Sequence, residues 1–243
     1  MPNLKEGMTE LEVSGLLEYY MRKFGAENRA FDSIVAFAEN SAIPHHASSL
    51  KILKKGMPVL LDFGAMVDGY TSDMTRSFLY CPQENSFTNF YLKAHNLVCL
   101  AHQKAKNAVQ VGSLAATIDA FARAVFKEYV IDYNMLKKLK KENHLQVDNL
   151  LVKLKDGQKY PKEYRNLVEF FTHSLGHGLG VFIHQSPTLS KTSQDVMPAN
   201  CVFTIEPGLY FEGLFGIRIE DTYLLKDRAK SFMHIQKNMS TIQ

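Results

Sequence analysis

With 243 residues, 46% of them hydrophobic, the chain is long enough to bury the core of a sizeable globular domain. A net charge of +3 with dispersed lysines gives no indication of a nucleic-acid partner. The 3 cysteines form no CxxC motif, the N-terminus has no apolar signal core, and no apolar run is long enough for a membrane-spanning helix. We therefore expect a cytoplasmic protein without disulfides that contacts neither nucleic acid nor membrane.

The N-terminal part of the chain predicts a helix followed by a strand and a loop. Thr9 and Glu12 have capping-box spacing ahead of a helix at about residues 10 to 24. The strand-like FDSIVAFAEN comes next, and a loop broken by proline then carries His45 and His46.

The remainder of the chain predicts helices in the middle and strands at the end. Helical periodicity covers about residues 86 to 110 and 114 to 129. A Lys-rich stretch at about 132 to 165 is interpreted as a solvated helical insertion, with a partner-binding surface as the alternative. The last quarter has the pattern of paired strands. This order predicts an α+β fold.

Two aspartates interrupt the buried hairpin LLDFGAMVDGYTSDMTRSF at residues 60–78. A two-residue turn at Asp68-Gly69 would place Asp62 opposite Thr75 and make Asp73 its diagonal neighbour. Diagonal neighbours on one face lie roughly 7 Å apart. Because the flanking sequence is almost entirely apolar, both carboxylates are predicted to be interior, and interior acids require a cation.

A second pair of acids, Glu206 and Glu220, is embedded in apolar strands and lies symmetrically about Gly213. A hairpin centred on that glycine would bring the two carboxylates opposite one another. Arg218 could neutralise one of the four interior acids, whereas a pair of divalent cations would balance all four.

Three histidines, His173, His177 and His184, follow a glycine-rich pattern between these acidic hairpins. The glycines disfavour a helix, and the residue after His173 is not the Glu that a zinc-protease helix requires. We interpret the segment as a strand or loop beside a ligand. The spacing does not select one of the three as a metal ligand.

Four blocks, LLDFGAMVDGYTSDMTRSF, HSLGHGLGVFIH, TIEPGLY and GIRIED, resemble the pita-bread dinuclear metallopeptidases in the aminopeptidase P and prolidase branch. The resemblance covers about residues 5 to 229. It implies a curved, mostly antiparallel sheet covered by helices. It also implies a metal-ligand set, which consists of Asp62, Asp73, His177, Glu206 and Glu220.

The resemblance further implies hydrolysis of an Xaa-Pro bond by a hydroxide that bridges two metal ions. Glu206 would shuttle the proton to the leaving nitrogen. His45, His173 and His184 match substrate-site histidines, and the last two would donate hydrogen bonds to the carbonyl or oxyanion. Arg218 matches an arginine that would orient Glu220 or Asp73.

Four carboxylates and one imidazole form a hard ligand set, which favours Mn²⁺ and tolerates Co²⁺, Fe²⁺ or Zn²⁺. The substrate that the resemblance implies is a peptide with proline in the second position. Whether the chain forms a homodimer stays open.

Members of that branch carry an N-terminal domain and a helix ahead of the block that begins this chain. We therefore interpret residues 1–243 as a single catalytic domain without those parts. Two alternatives stay open: a methionine aminopeptidase, which would use the same ligands, and a non-catalytic pita-bread domain that binds proteins.

Overall fold

The computed structural model describes residues 3–141, 150–155, 157–233 and 241–242. The α-helices of these residues are α1 Glu10–Lys23, α2 Ser86–Ala108, α3 Ala115–Lys127 and α4 Tyr133–Lys141. The strands are β1 Asn28–Arg29, β2 Ile34–Phe37, β3 Pro58–Phe63, β4 Ala65–Val67, β5 Tyr70–Thr71, β6 Met74–Tyr80, β7 Tyr129–Asp132, β8 Leu151–Lys153, β9 Tyr164–Asn166, β10 Gly176–Gly178, β11 Gln185–Leu189, β12 Val202–Ile205, β13 Gly208–Phe211, β14 Phe215–Arg218, β15 Asp221–Leu225, β16 Ala229–Ser231 and β17 Thr241–Ile242. None of the described helices has the length and apolar content needed to cross a membrane.

Two larger sheets carry the framework of the molecule. One has the strand order β17-β6-β3-β2 and the other the order β11-β10-β12-β15-β16. The β13-β14 hairpin extends from β12 and β15, and the described strand pairs are antiparallel except for β17 with β6. The predicted α+β class is confirmed.

The N-terminal helix packs against the sheet that contains β2, β3 and β6. The predicted capping box is present, since Thr9 Oγ1 accepts a hydrogen bond from the Glu12 amide and the Glu12 carboxylate accepts one from the Thr9 amide. Val13 of α1 joins a buried apolar cluster with Val35, Leu61 and Phe78. Burial of this helical face fixes α1 on the outer side of the sheet.

Helices α2 and α3 close the other side of the molecule, within the bounds that the sequence predicted. Their buried faces belong to one large apolar cluster that also contains side chains of β12 to β15. Phe90 and Tyr91 of α2, for example, make tilted ring contacts with Phe215 of β14, with centroids 5.2 Å and 5.1 Å apart. The helices therefore support the late hairpin from behind.

The Lys-rich stretch differs from the predicted solvated helical insertion. It is helical only in α4, where Leu136 and Leu139 are buried, and β8 and β9 pair with the two edges of β7. Most lysines of the stretch are exposed and Lys140 is half-buried, so the many lysines in the sequence gave no indication of the buried leucines between them. Residues 142–149 of the predicted insertion lie outside the described residues.

Both predicted hairpin registers are confirmed. Asp62 is opposite Thr75 in the β3–β6 pairing, and Asp68 and Gly69 have φ values of +49° and +74° in the intervening turn. In the late hairpin, Gly208 is opposite Arg218, and Ile205 is opposite Asp221 where β12 meets β15. These registers bring each pair of acids to one place.

Hydrogen bonds join the early hairpin to the late one. The Glu220 amide donates to the Thr75 carbonyl oxygen at 3.1 Å, and Thr222 Oγ1 donates to the Asp73 carbonyl oxygen at 2.9 Å. The Arg218 amide donates to Ser77 Oγ at 3.0 Å. The two acidic hairpins therefore lie side by side.

Candidate active site

A cleft of about 860 Å³ opens where the acidic hairpins meet the loop after β2 and the glycine-rich strand β10. Every residue nominated from the sequence lines it: His45, Asp62, Asp73, His173, His177, His184, Glu206, Arg218 and Glu220. The structure therefore gathers the candidate ligands and the candidate substrate-site histidines into one place, although they are up to 175 residues apart in the chain.

Within the cleft, Asp73, His177 and Glu220 offer ligand atoms that all lie within 4.8 Å of one another. His177 reaches this position because β10 passes close to β12, where a Cβ on Gly176 would lie 2.2 Å from the Thr204 carbonyl oxygen. Glycine is needed at that approach. Sequence spacing did not select a histidine, but the fold places His177 among the acids.

The ring of His177 presents a lone pair to the carboxylates. Its Nδ1 lies 3.1 Å from the Gly178 carbonyl oxygen, which can only accept, so Nδ1 carries the proton. Nε2 then faces Asp73 Oδ2 at 3.6 Å and Glu206 Oε1 at 3.4 Å. Burial lowers the pKa of His177 to about 4, which keeps the ring neutral and suited to binding a metal.

Three buried carboxylate oxygens have no hydrogen-bond donor among the described residues: Asp62 Oδ1, Asp73 Oδ1 and Glu220 Oε1. A buried acceptor without a partner costs about 1 to 3 kcal/mol, and more when charged. All three belong to the predicted ligand set, so the donors present fit hard divalent cations.

The carboxyl groups of the cleft resist ionisation in the metal-free protein. Burial, followed by repulsion from Glu220, raises the pKa of Asp73 and of Glu206 well above the ordinary values. Burial, followed by repulsion from Asp62, raises the pKa of Glu220 to about 8. The opposing charge of Arg218 does not cancel these effects.

Arg218 contacts a different acid from the two that the sequence analysis named. Its Nη2 donates to Asp62 Oδ2 at 2.5 Å, while Nε donates to Thr75 Oγ1 at 3.1 Å. Thr75 Oγ1 in turn donates to Glu220 Oε2 at 2.7 Å. The predicted orientation of Glu220 or Asp73 by Arg218 is thus corrected: Arg218 binds Asp62 directly and reaches Glu220 only through Thr75.

Tyr210 is a member of the site that sequence reasoning missed. Its hydroxyl oxygen accepts a hydrogen bond from Arg218 Nη1 at 2.7 Å and lies 2.8 Å from His173 Nε2. The spacing contained a signal, since Tyr210 is four residues after Glu206 and an uninterrupted strand would place both side chains on one face.

The same contacts assign the tautomer of His173. Its Nδ1 donates to the Ser174 carbonyl oxygen at 2.7 Å, so Nε2 must accept from the Tyr210 hydroxyl. Burial, followed by the charge of Arg218, lowers the pKa of His173 to about 3 and keeps the ring neutral. In this conformation His173 therefore has no N–H to offer to a substrate, contrary to the donor role predicted for it.

Replacement of Tyr210 by Phe should destabilise the protein by about 1 to 3 kcal/mol, because Arg218 loses an acceptor and His173 a donor. Thermal and urea unfolding would measure the change. Tyr91→Phe is the matched control, since the buried Tyr91 hydroxyl has no hydrogen-bond partner among the described residues. Equal effects of the two substitutions would contradict the network around Tyr210.

A divalent cation such as Mn²⁺, if it binds the cleft carboxylates, should stabilise the protein more as the pH rises from about 5 to 8. Glu220 has a pKa of about 8 in the metal-free fold against an ordinary value of 4.5. The stability associated with its protonated form is therefore full below about 4.5 and is lost as the pH rises through 8. Melting temperatures with and without Mn²⁺ at each pH would check this, and a metal-induced shift independent of pH would contradict it.

A family model supports the geometry with an independent comparison. The model of metallopeptidase family M24 matches residues 1–227. The chain belongs to metallopeptidase family M24. Divalent metal ions are implied by this membership, and Asp73, His177 and Glu220 form a group that fits such a site.

Relatives of this M24 chain include Xaa-Pro dipeptidases. It is 33% identical to the "Xaa-Pro dipeptidase" of Pyrococcus furiosus over 226 residues, which are 93% of this chain and 53% of that protein. For the "Xaa-Pro dipeptidase" of Pyrococcus horikoshii the identity is 32%, with 97% of this chain and 56% of that protein covered. The M24 chain spans about half the length of these curated relatives.

Solved structures agree with this family assignment. An X-Pro aminopeptidase from Thermotoga maritima aligns with a TM-score of 0.78 and 32% identity over 99% of this chain and 57% of its own. A prolidase from Pyrococcus furiosus aligns with a TM-score of 0.75 and 31% identity over 97% and 58%. The predicted resemblance to the aminopeptidase P and prolidase branch of M24, with its pita-bread fold, is confirmed.

Proposed function

We propose that this chain hydrolyses the peptide bond between an N-terminal residue and proline, with two divalent metal ions as cofactors. One observation carries the proposal: three buried carboxylates, the partly buried Glu206 and one neutral imidazole converge in the cleft, and three carboxylate oxygens have no donor among the described residues. If these acids had only a structural role, nothing would offset the free-energy cost of their buried oxygens without hydrogen-bond donors.

The ions would be held by Asp62, Asp73, His177, Glu206 and Glu220. Oxygen ligands predominate in this set, which ranks Mn²⁺ first and leaves Co²⁺, Fe²⁺ and Zn²⁺ as alternatives. When bound, two such ions lower the pKa of a water molecule and stabilise negative charge on a carbonyl oxygen.

The side chains of the cleft supply the remaining chemistry. Glu206 accepts the proton of the attacking water and delivers it to the leaving nitrogen. His184, whose ring packs edge-on against His177 with centroids 4.4 Å apart, donates a hydrogen bond to the substrate carbonyl. Arg218 orients Asp62, and His45 contributes to the wall against which the peptide lies.

The substrate assignment rests on the relatives that are named Xaa-Pro dipeptidase, prolidase and X-Pro aminopeptidase. A bond before proline is a tertiary amide without an N–H, so its recognition differs from that of other peptide bonds. These names do not distinguish a dipeptide substrate from a longer peptide, so the test includes both.

Hydrolysis of Ala-Pro, Ala-Pro-Ala and Met-Ala-Ser by the metal-stripped chain, before and after addition of Mn²⁺, tests the function. We expect Mn²⁺-dependent cleavage before proline, and the ratio of the first two rates separates prolidase from aminopeptidase P activity. Cleavage of Met-Ala-Ser alone would assign a methionine aminopeptidase. No cleavage, with calorimetry showing Mn²⁺ bound, would overturn the proposal in favour of a binding domain.

His184→Ala should leave Mn²⁺ binding unchanged and lower kcat by about 100-fold, because it removes a donor to the developing oxyanion and no metal ligand. Calorimetric titration with Mn²⁺ and steady-state kinetics would separate the two properties. A loss of bound metal in this variant would instead make His184 a ligand.

A further inference from the structure

Glu10 is a buried carboxylate outside the cleft. It lies at the first residue of α1, has 0% exposure, and serves no role in the proposed chemistry. Its two oxygens accept five hydrogen bonds, which come from Phe37 N at 2.8 Å, Asn40 Nδ2 at 2.9 Å, His46 Nε2 at 2.8 Å, Ser49 N at 2.8 Å and Ser49 Oγ at 2.6 Å.

These donors belong to three consecutive parts of the chain: the end of β2, the 3₁₀ turn Ala38–Ala42, and the loop at residues 43–49. An interior carboxylate is costly unless its lone pairs are satisfied, and here they are. The hydrogen bonds outweigh the effect of burial, which would raise the pKa, and hold the pKa of Glu10 below its ordinary value. Glu10 is therefore a fixed ionic centre that ties this loop to α1.

The other side of that loop is a wall of the cleft. Pro44, His45, His46 and Ala47 all line it. The Pro44 carbonyl oxygen accepts a hydrogen bond from Arg218 Nη1 at 3.3 Å, so the loop is attached to the site in front and to Glu10 behind. His45 lies between these two attachments.

We propose that Glu10 is a positioning residue that, through His46 and Ser49, holds the loop at residues 43–49 so that His45 faces the peptide in the cleft. The part of this inference that concerns turnover rests on the proposed function. The part that concerns the loop rests on the hydrogen bonds that Glu10 accepts.

Glu10→Gln changes the fewest atoms while removing the charge and part of the anchor, because in either amide orientation Nε2 cannot accept from the donors on its side. We expect the amides of residues 43–49 to exchange with deuterium at least about 10-fold faster in the metal-free protein. The kcat for an Xaa-Pro peptide should fall by about 10- to 100-fold through misplacement of His45. Mn²⁺ stoichiometry and affinity should not change.

The matched control is Glu12→Gln, two residues along the same helix. Glu12 is exposed and accepts from the Thr9 amide in the capping box, a role that glutamine also fills. This variant should match wild type in loop exchange and in turnover.

A double-mutant cycle with His45→Ala separates positioning from general stability. If Glu10 acts through His45, Glu10→Gln should lower kcat little or not at all in the His45→Ala background. Loss of the same factor in both backgrounds would overturn the positioning role, as would unchanged exchange at residues 43–49 in Glu10→Gln.

His46 provides a second pair of variants if Glu10→Gln does not fold. His46→Gln keeps a donor for Glu10 and should retain slow exchange, whereas His46→Leu removes the donor and should accelerate it. Equal exchange in both variants would overturn the proposal. A wild-type chain that binds Mn²⁺ but cleaves no Xaa-Pro peptide would refute the proposed function. The exchange data would still test whether Glu10 holds the loop at residues 43–49.

Discussion

Asp73→Asn should abolish the stabilisation by Mn²⁺, lower turnover by more than about 100-fold, and raise the melting temperature of the metal-free protein. The first two effects follow from loss of a proposed metal ligand. The third has the opposite sign to most substitutions of buried residues and comes from the charges around Asp73.

In the metal-free fold, Asp73 is buried and has an oxygen without a donor among the described residues. Burial, then repulsion by Glu220, Asp62 and Glu206, raises its pKa well above the ordinary value. Asparagine removes that charge at nearly constant volume. Each ~1 kcal/mol gained should raise the melting temperature by about 2 to 4 °C in a chain of this size.

Asp119→Asn is a control with the opposite expected sign. Asp119 is equally buried but is paired with Arg123 at 2.6 Å, so its neutralisation leaves a buried cation without its partner. We expect this variant to lower the melting temperature and to keep the Mn²⁺-induced shift. Thermal unfolding with and without Mn²⁺ checks both variants, and a metal-free Asp73→Asn protein less stable than wild type would contradict the electrostatic account.

The acids of the site could be found from the sequence because short-range rules determine hairpin register. Asp68-Gly69 and Gly213 fix the turns, and strand alternation then places Asp62 with Asp73 and Glu206 with Glu220. Apolar flanks indicated burial. No contact between distant segments had to be known.

Other features depended on contacts between distant segments and could not be predicted. The choice of Asp62 as the partner of Arg218 depends on how β6 meets β14, which neither hairpin determines alone. Glu10 is an acid in the first turn of a helix, and only the fold brings the loop at residues 43–49 onto it.

Arg218→Met should destabilise the metal-free protein by about 3 to 5 kcal/mol, the usual cost of leaving one member of a buried ion pair alone. Arg218 is 3% exposed, and besides Asp62 it donates to Tyr210 and Thr75. Its loss leaves the charge of Asp62 without a counterion at the place where the other carboxylates already repel one another. The melting temperature should fall by about 10 °C.

Mn²⁺ should restore more stability to Arg218→Met than it adds to wild type, because bound cations would neutralise Asp62 and no longer be repelled by the guanidinium. Arg123→Met is the matched control: Arg123 is as buried as Arg218 and is paired with Asp119, but no cleft carboxylate depends on it. It should lose similar stability and show only the wild-type response to Mn²⁺. Unfolding of the three proteins with and without Mn²⁺ measures the difference. If Arg218→Met responds no more strongly than Arg123→Met, the arginine and the ions do not balance the same charge, and Asp62 would have to be removed from the ligand set.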